Sequence, residues 1–184
     1  MKLRNAVVIG VLCVFAATIH VEAADGEAVV VDSFVNPYLT IQTALAGDDL
    51  AKAQSSAALL AQAIEGADGS TELMADLESS ARRIGEAPDI DAARKSFLSL
   101  SHQMMQFVKD TGTTGGTTLY VAHCPMAFDG EGGSWIQADK TIANPYYGAA
   151  MLRCGSVQRQ LAGGTDETPG HGAAVGHNHA GHQH

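Results

Sequence analysis

Four stretches of this chain repeat apolar residues at spacings of three and four, and this helical period constrains the fold more than any other feature. In the first, Ala28 to Ala46, the residues Phe34, Tyr38, Ile41 and Leu45 share one face. Pro37 lies inside it and predicts a kink, or a start one turn later. Gly47 ends the segment. Asp48 or Asp49 is placed to cap a second helix with the inner face Leu50, Ala53, Ala57, Leu60 and Ile64, closed by Gly66. Ser70 precedes a third helix carrying Leu73, Leu77 and Ile84, with Glu72 and Asp76 in the early turns that the helix dipole favours for acids. Pro88 then breaks the chain and Asp89 caps a fourth helix. Ile90, Ala93, Phe97, Leu100, Met104 and Val108 hold its period to about Lys109. The connections are short, so neighbouring helices should run antiparallel, as in an up-down bundle.

From Leu119 to Pro145 the helical period disappears. Leu119 to Ala122 reads as short extended chain and Cys124 to Gly133 as an ordered loop. Asn144 and Pro145 suit the cap and first position of a fifth helix running to about Gln160. The expected fold is therefore all-α: an up-down helical bundle of four helices, a motif loop and a fifth C-terminal helix, in one domain over residues 28–161. An aromatic content of 5% within an apolar fraction of 46% agrees with small-residue helix packing better than with a β-sandwich.

Both ends of the chain read differently. Lys2 and Arg4 precede the apolar stretch Ala6 to Ile19, and Val21-Glu22-Ala23 places small residues before a cut, which is the layout of a secretory signal over residues 1–23. Secretion is the expectation, into the periplasm if the source is Gram-negative. No later apolar run reaches the roughly 18 residues of a spanning helix, so no stable membrane insertion is expected after cleavage. Residues 162–184 are polar, rich in Gly and His, and read as a disordered tail. Removing Lys2, Arg4 and Glu22 leaves 9 basic against 19 acidic residues, a charge of −10. Nucleic acid is a poor partner for so acidic a chain, because phosphates need Lys and Arg.

The chemistry-bearing residues fall in two short clusters. His123-Cys124-Pro125-Met126 gathers imidazole, thiol and thioether donors, and Met151-Leu152-Arg153-Cys154 places Met and Cys three apart, on one face if the segment is helical. Soft sulfur ligands select Cu(I) and related ions such as Ag(I). His102 and Met105 are likewise three apart on the fourth helix, which makes His102 or His123 a further donor. The competing reading is a Cys124–Cys154 disulfide, which an oxidising compartment permits. In the tail, His171, His177, His179, His182 and His184 form a flexible chelate suited to Cu(II) or Zn(II). Nucleophile-elbow, phosphate-loop, dinucleotide and zinc-protease signatures are lacking, so no enzyme is expected.

Tyr120-x-x-x-Cys124-Pro125-Met126-Ala127, Gly133-x-Trp135 and Asn144-Pro145-Tyr146-Tyr147-Gly148-x-x-Met151-Leu152-x-Cys154-Gly155 resemble the domain-of-unknown-function family 3347. The resemblance covers about Val29 to Leu161. It implies an exported α-helical domain, in some members fused to periplasmic adaptor subunits of copper- or silver-type heavy-metal efflux pumps. Cys124, Met126, Met151 and Cys154 carry over as motif positions; no adaptor domain accompanies them here. Two functions follow as expectations. One is sequestration of Cu(I) or Ag(I), or its delivery to an efflux adaptor. The other is a metal-free protein-interaction module stapled by a Cys124–Cys154 disulfide.

Overall fold

The computed structural model describes residues 24–68, 71–111 and 116–163. The segments read as a signal, residues 1–23, and nearly all of the His-rich tail lie outside these residues.

The four periodic stretches form α1 (Ala24–Ala46), α2 (Leu50–Glu65), α3 (Glu72–Gly85) and α4 (Ile90–Thr111), each packed on the next, with α1 also against α4. Local chemistry sets their starts. The Asp49 carboxylate accepts from Lys52 N at 2.9 Å, Thr71 Oγ1 from Met74 N at 3.2 Å and Asp89 Oδ1 from Ala92 N at 2.8 Å. Gly66 terminates α2. The chain stays helical through Pro37. Proline removes one donor, but buried Phe34 and Val35 before it and Tyr38 and Ile41 after it hold both sides in the core. Along the interior, Tyr38 stacks on Phe97 with ring centroids 5.2 Å apart, and Phe34 meets Phe107 at 5.1 Å.

The second half departs from the all-α expectation. Three strands, β1 (Leu119–Cys124), β2 (Gly133–Gln137) and β3 (Ser156–Ala162), form an antiparallel sheet in the order β2-β1-β3. The sheet rests on α1 and α4, and α2 and α3 complete the bundle beyond them. The fifth helix expected from Pro145 to Gln160 is instead a single 3-10 turn, Gly148–Met151, followed by β3. Two glycines explain this. Gly148 has φ +57 and Gly155 φ +120, left-handed values that interrupt a right-handed helix on either side of the motif. The loop expected over Cys124 to Gly133 contains the end of β1, a tight turn at Ala127–Gly130 with Phe128 and Asp129 at positive φ, and the start of β2.

Helix side chains pin the sheet. The Tyr38 hydroxyl accepts from Ile136 N at 3.0 Å and lies 2.8 Å from Ser101 Oγ, so a bundle residue satisfies a buried donor of β2. Trp135 is fully buried. It meets Tyr146 edge-on at 5.7 Å and donates its indole N–H to Gln137 Oε1 at 2.9 Å. Among the described residues, no helix is long and apolar enough to cross a membrane.

Candidate functional site

Cys124 ends β1 and is fully buried; Cys154 follows the 3-10 turn and is partly exposed. Their Sγ atoms lie 2.9 Å apart and are not bonded to each other in the structure. The fold thus brings the two sequence clusters together at their cysteines.

The loop carrying Cys154 buries Tyr146 in the core and is fixed along its backbone by polar contacts. Asn144 Oδ1 accepts from Tyr146 N at 2.8 Å, while Asn144 Nδ2 donates to the Cys154 carbonyl at 2.9 Å. Asn144 N donates to Leu152 O at 2.9 Å, and Cys154 N donates to Met151 O at 3.0 Å. The expected cap residue therefore acts through its side chain, but it closes a loop rather than starting an α-helix. Past Cys154, Gly155 fits where no side chain can: a Cβ would lie 2.7 Å from the His123 carbonyl oxygen and 3.1 Å from the Trp135 ring. Both sides of Cys154 are fixed relative to β1.

The remaining predicted donors are placed unevenly. Met126, two residues beyond Cys124, is exposed, and its carbonyl accepts from the Tyr147 hydroxyl. Met151 is partly exposed at the end of the 3-10 turn. His123 adjoins Cys124 on a strand, so the two side chains leave on opposite faces. Its Nδ1 lies 3.0 Å from Ser134 Oγ across the ladder. His102 is exposed on α4. Among the described residues, no three His, Cys, Asp or Glu side chains form a metal-holding group. His171, His177, His179, His182 and His184 lie outside the described residues.

Its surroundings favour the protonated form of Cys154. The Cys154 thiol is raised above its usual value, first by its hydrogen bond with Cys124, then by desolvation and by the neighbouring thiol's charge. The Tyr147 phenol is also raised, by desolvation first and then by Cys124, Cys154 and Asp129. Cys154 is therefore not activated by a lowered pKa, and any difference in reactivity between the two cysteines rests on access.

The sequence reading missed the clamp beneath this loop. Arg94 is buried on α4; its Nε donates to Pro145 O at 3.0 Å, and its Nη2 donates to Leu45 O at 3.1 Å and Asp48 Oδ1 at 2.5 Å. Asp48 Oδ2 accepts from Ala149 N at 2.9 Å. The Asp48 carboxyl is lowered, first by that amide and then by Arg94. Gln42 of α1 adds a bond from Nε2 to Ala143 O at 2.6 Å. A signal was present: Arg94 falls on the buried face of α4, four residues after Ile90 and three before Phe97, where an unpaired charge is not tolerated.

Comparison with known proteins places the likeness in the bundle. The family model described as Protein of unknown function (DUF3347) matches residues 34–116. The match covers the helices from Phe34 onward and stops before Cys124, Met126, Met151 and Cys154. No curated protein and no solved structure matches the chain. Over residues 34–116, and so over less than half of its length, the chain is similar to the DUF3347 family.

Proposed function

We propose that this protein is an exported, non-enzymatic carrier of soft metal ions, Cu(I) or Ag(I), for sequestration or for delivery to a heavy-metal efflux adaptor. One observation carries the reading: Cys124 and Cys154, thirty residues apart in sequence, bring their sulfurs within 2.9 Å of each other. Paired thiolates suit soft ions, and Met126 and Met151 supply thioethers from the same two segments. His123 turns to Ser134 and His102 lies on exposed α4 surface, so the reading rests on the four sulfur residues. The tail histidines would gather Cu(II) or Zn(II) more loosely. Binding must displace thiol protons, so affinity should fall as pH drops.

An anaerobic Cu(I) titration of the reduced chain against a competing chelator tests this. One tight equivalent with a thiolate-to-copper charge-transfer band is expected, and it should be lost when Cys124 and Cys154 are both replaced by serine. Undiminished tight binding by that double variant would refute the assignment. The same proximity favours a second reading, a protein-interaction module stapled by a Cys124–Cys154 disulfide. It predicts no thiols to titrate in protein taken from its native compartment.

A further inference from the structure

We infer that Cys124 and Cys154 form an ordered dithiol–disulfide switch in which Cys154 meets an organic disulfide first and Cys124 resolves it. Closure withdraws both sulfurs from a soft metal, a consequence that rests on the function proposed above.

The asymmetry is geometric. Cys124 is fully buried at the end of β1, whereas Cys154 is partly exposed. An incoming disulfide can approach only the Cys154 side. Cys124, itself buried, lies 2.9 Å from it. It is therefore within reach of Cys154 Sγ once a mixed disulfide forms there. Asn144 and Gly155 hold the Cys154 backbone against β1, so closure needs sulfur movement of about 1 Å and no rearrangement of the sheet.

The steps balance without any other reagent. The Cys154 thiolate attacks one sulfur of a disulfide RSSR, forming a Cys154–S–S–R bond and expelling RS⁻. The Cys124 thiolate then attacks Cys154 Sγ, forming the Cys124–Cys154 bond and expelling the second RS⁻. The two protons lost by the protein thiols end on the two leaving thiolates. The protein is oxidised by two electrons, and RSSR is reduced to two RSH.

The test uses the full chain carrying Cys13→Ser, which leaves only the two site thiols. Reduced protein is treated anaerobically with glutathione disulfide, quenched in acid and mapped by peptide mass. The expected product is the internal disulfide, reversed by excess reduced glutathione. Cys124→Ser should accumulate glutathione on Cys154. Cys154→Ser should take it up on Cys124 about ten-fold more slowly, as access dictates. Because a core serine can impair folding, limited iodoacetamide labelling of the otherwise native chain gives an independent reading. There Cys154 should be alkylated before Cys124. Equal or faster labelling of Cys124 overturns the order, and failure to form a reversible internal disulfide overturns the switch. Cu(I) titration of the two redox forms separates the remaining claims. Binding by the reduced form alone supports gating, and equal binding by both forms overturns it. No binding by either form overturns the proposed function together with the gating, while the exchange result stands by itself.

Discussion

The bundle and the sheet share one apolar core but are fastened in place differently. In α1 to α4 the contacts are apolar stripes from helices joined by short loops, so nearest neighbours in sequence are nearest neighbours in space. In the sheet and motif loop, many fixing contacts are single hydrogen bonds across long separations. Gln42 reaches Ala143, Asp48 reaches Ala149, and Tyr38 reaches Ile136. Side chains from α1, the α1–α2 turn and α4 thus reach over and fasten a layer that has little repetitive pattern of its own. The family match lies on the first region, and the thiol pair lies on the second.

If this division is right, damage to the second region should loosen the site while the bundle persists. Trp135→Ala should have the largest effect. Removing a fully buried indole costs about 3–5 kcal/mol, and amide exchange should accelerate in β1 to β3 well before α2 and α3. Uniform acceleration in all elements would show that the two regions unfold as one.

Arg94→Met comes next. It leaves the Leu45 and Pro145 carbonyls without their charged donor. Because Asp48 is 43% exposed, the ion pair itself adds little, and a loss of about 2–3 kcal/mol is expected in urea unfolding. The thiol pair should also form its disulfide more slowly, since the clamp holds Pro145 at the start of the motif loop. Tyr38→Phe is subtler. It keeps the ring stacked on Phe97 but strips the acceptor from Ile136 N, at a cost of about 1–3 kcal/mol in the same assay.

The smallest effect is the pH dependence of the reduced protein. The folded-state pKa of Cys154 is raised, so folding favours the protonated thiol. That contribution is complete below the unfolded thiol pKa and is lost as pH rises through the folded one. Asp48 is lowered, so its contribution is present above the ordinary carboxylate pKa and is lost as pH falls through the folded value. Thermal melts should decline on both sides of neutrality. Cys154→Ser should flatten only the alkaline side, and Asp48→Asn only the acid side. An unchanged alkaline limb in Cys154→Ser would mean that the thiol pair does not couple to folding.

Much of the bundle was legible because its information is local. Phe34, Tyr38, Ile41 and Leu45 point the same way in any helix, and Asp49 and Asp89 cap within three residues of themselves. The second region was misread at its end for the opposite reason. Pro145 and Asn144 suit a helix start, and Met151 with Cys154 suits a helical face. Gly148 and Gly155, at positive φ, instead turn the chain twice and send Ser156 onward as an edge strand. No local pattern announced that Gly133–Gln137 would pair with β1, because strand pairing is settled by what lies beside a segment.

The candidate site divides along the same line. The residue types alone determined that Cys124 and Cys154 are the chain's cysteines beyond Cys13, and that thioethers and imidazole accompany them. Only the tertiary structure decided that the two sulfurs meet and that His123 faces the other side of the strand. It also decided that the buried Arg94 underpins the loop. The physical reason is range. A helical stripe and a cap are properties of neighbours along the chain, whereas a thiol pair thirty residues apart exists only after the sheet has formed and a distant arginine has fixed the turn.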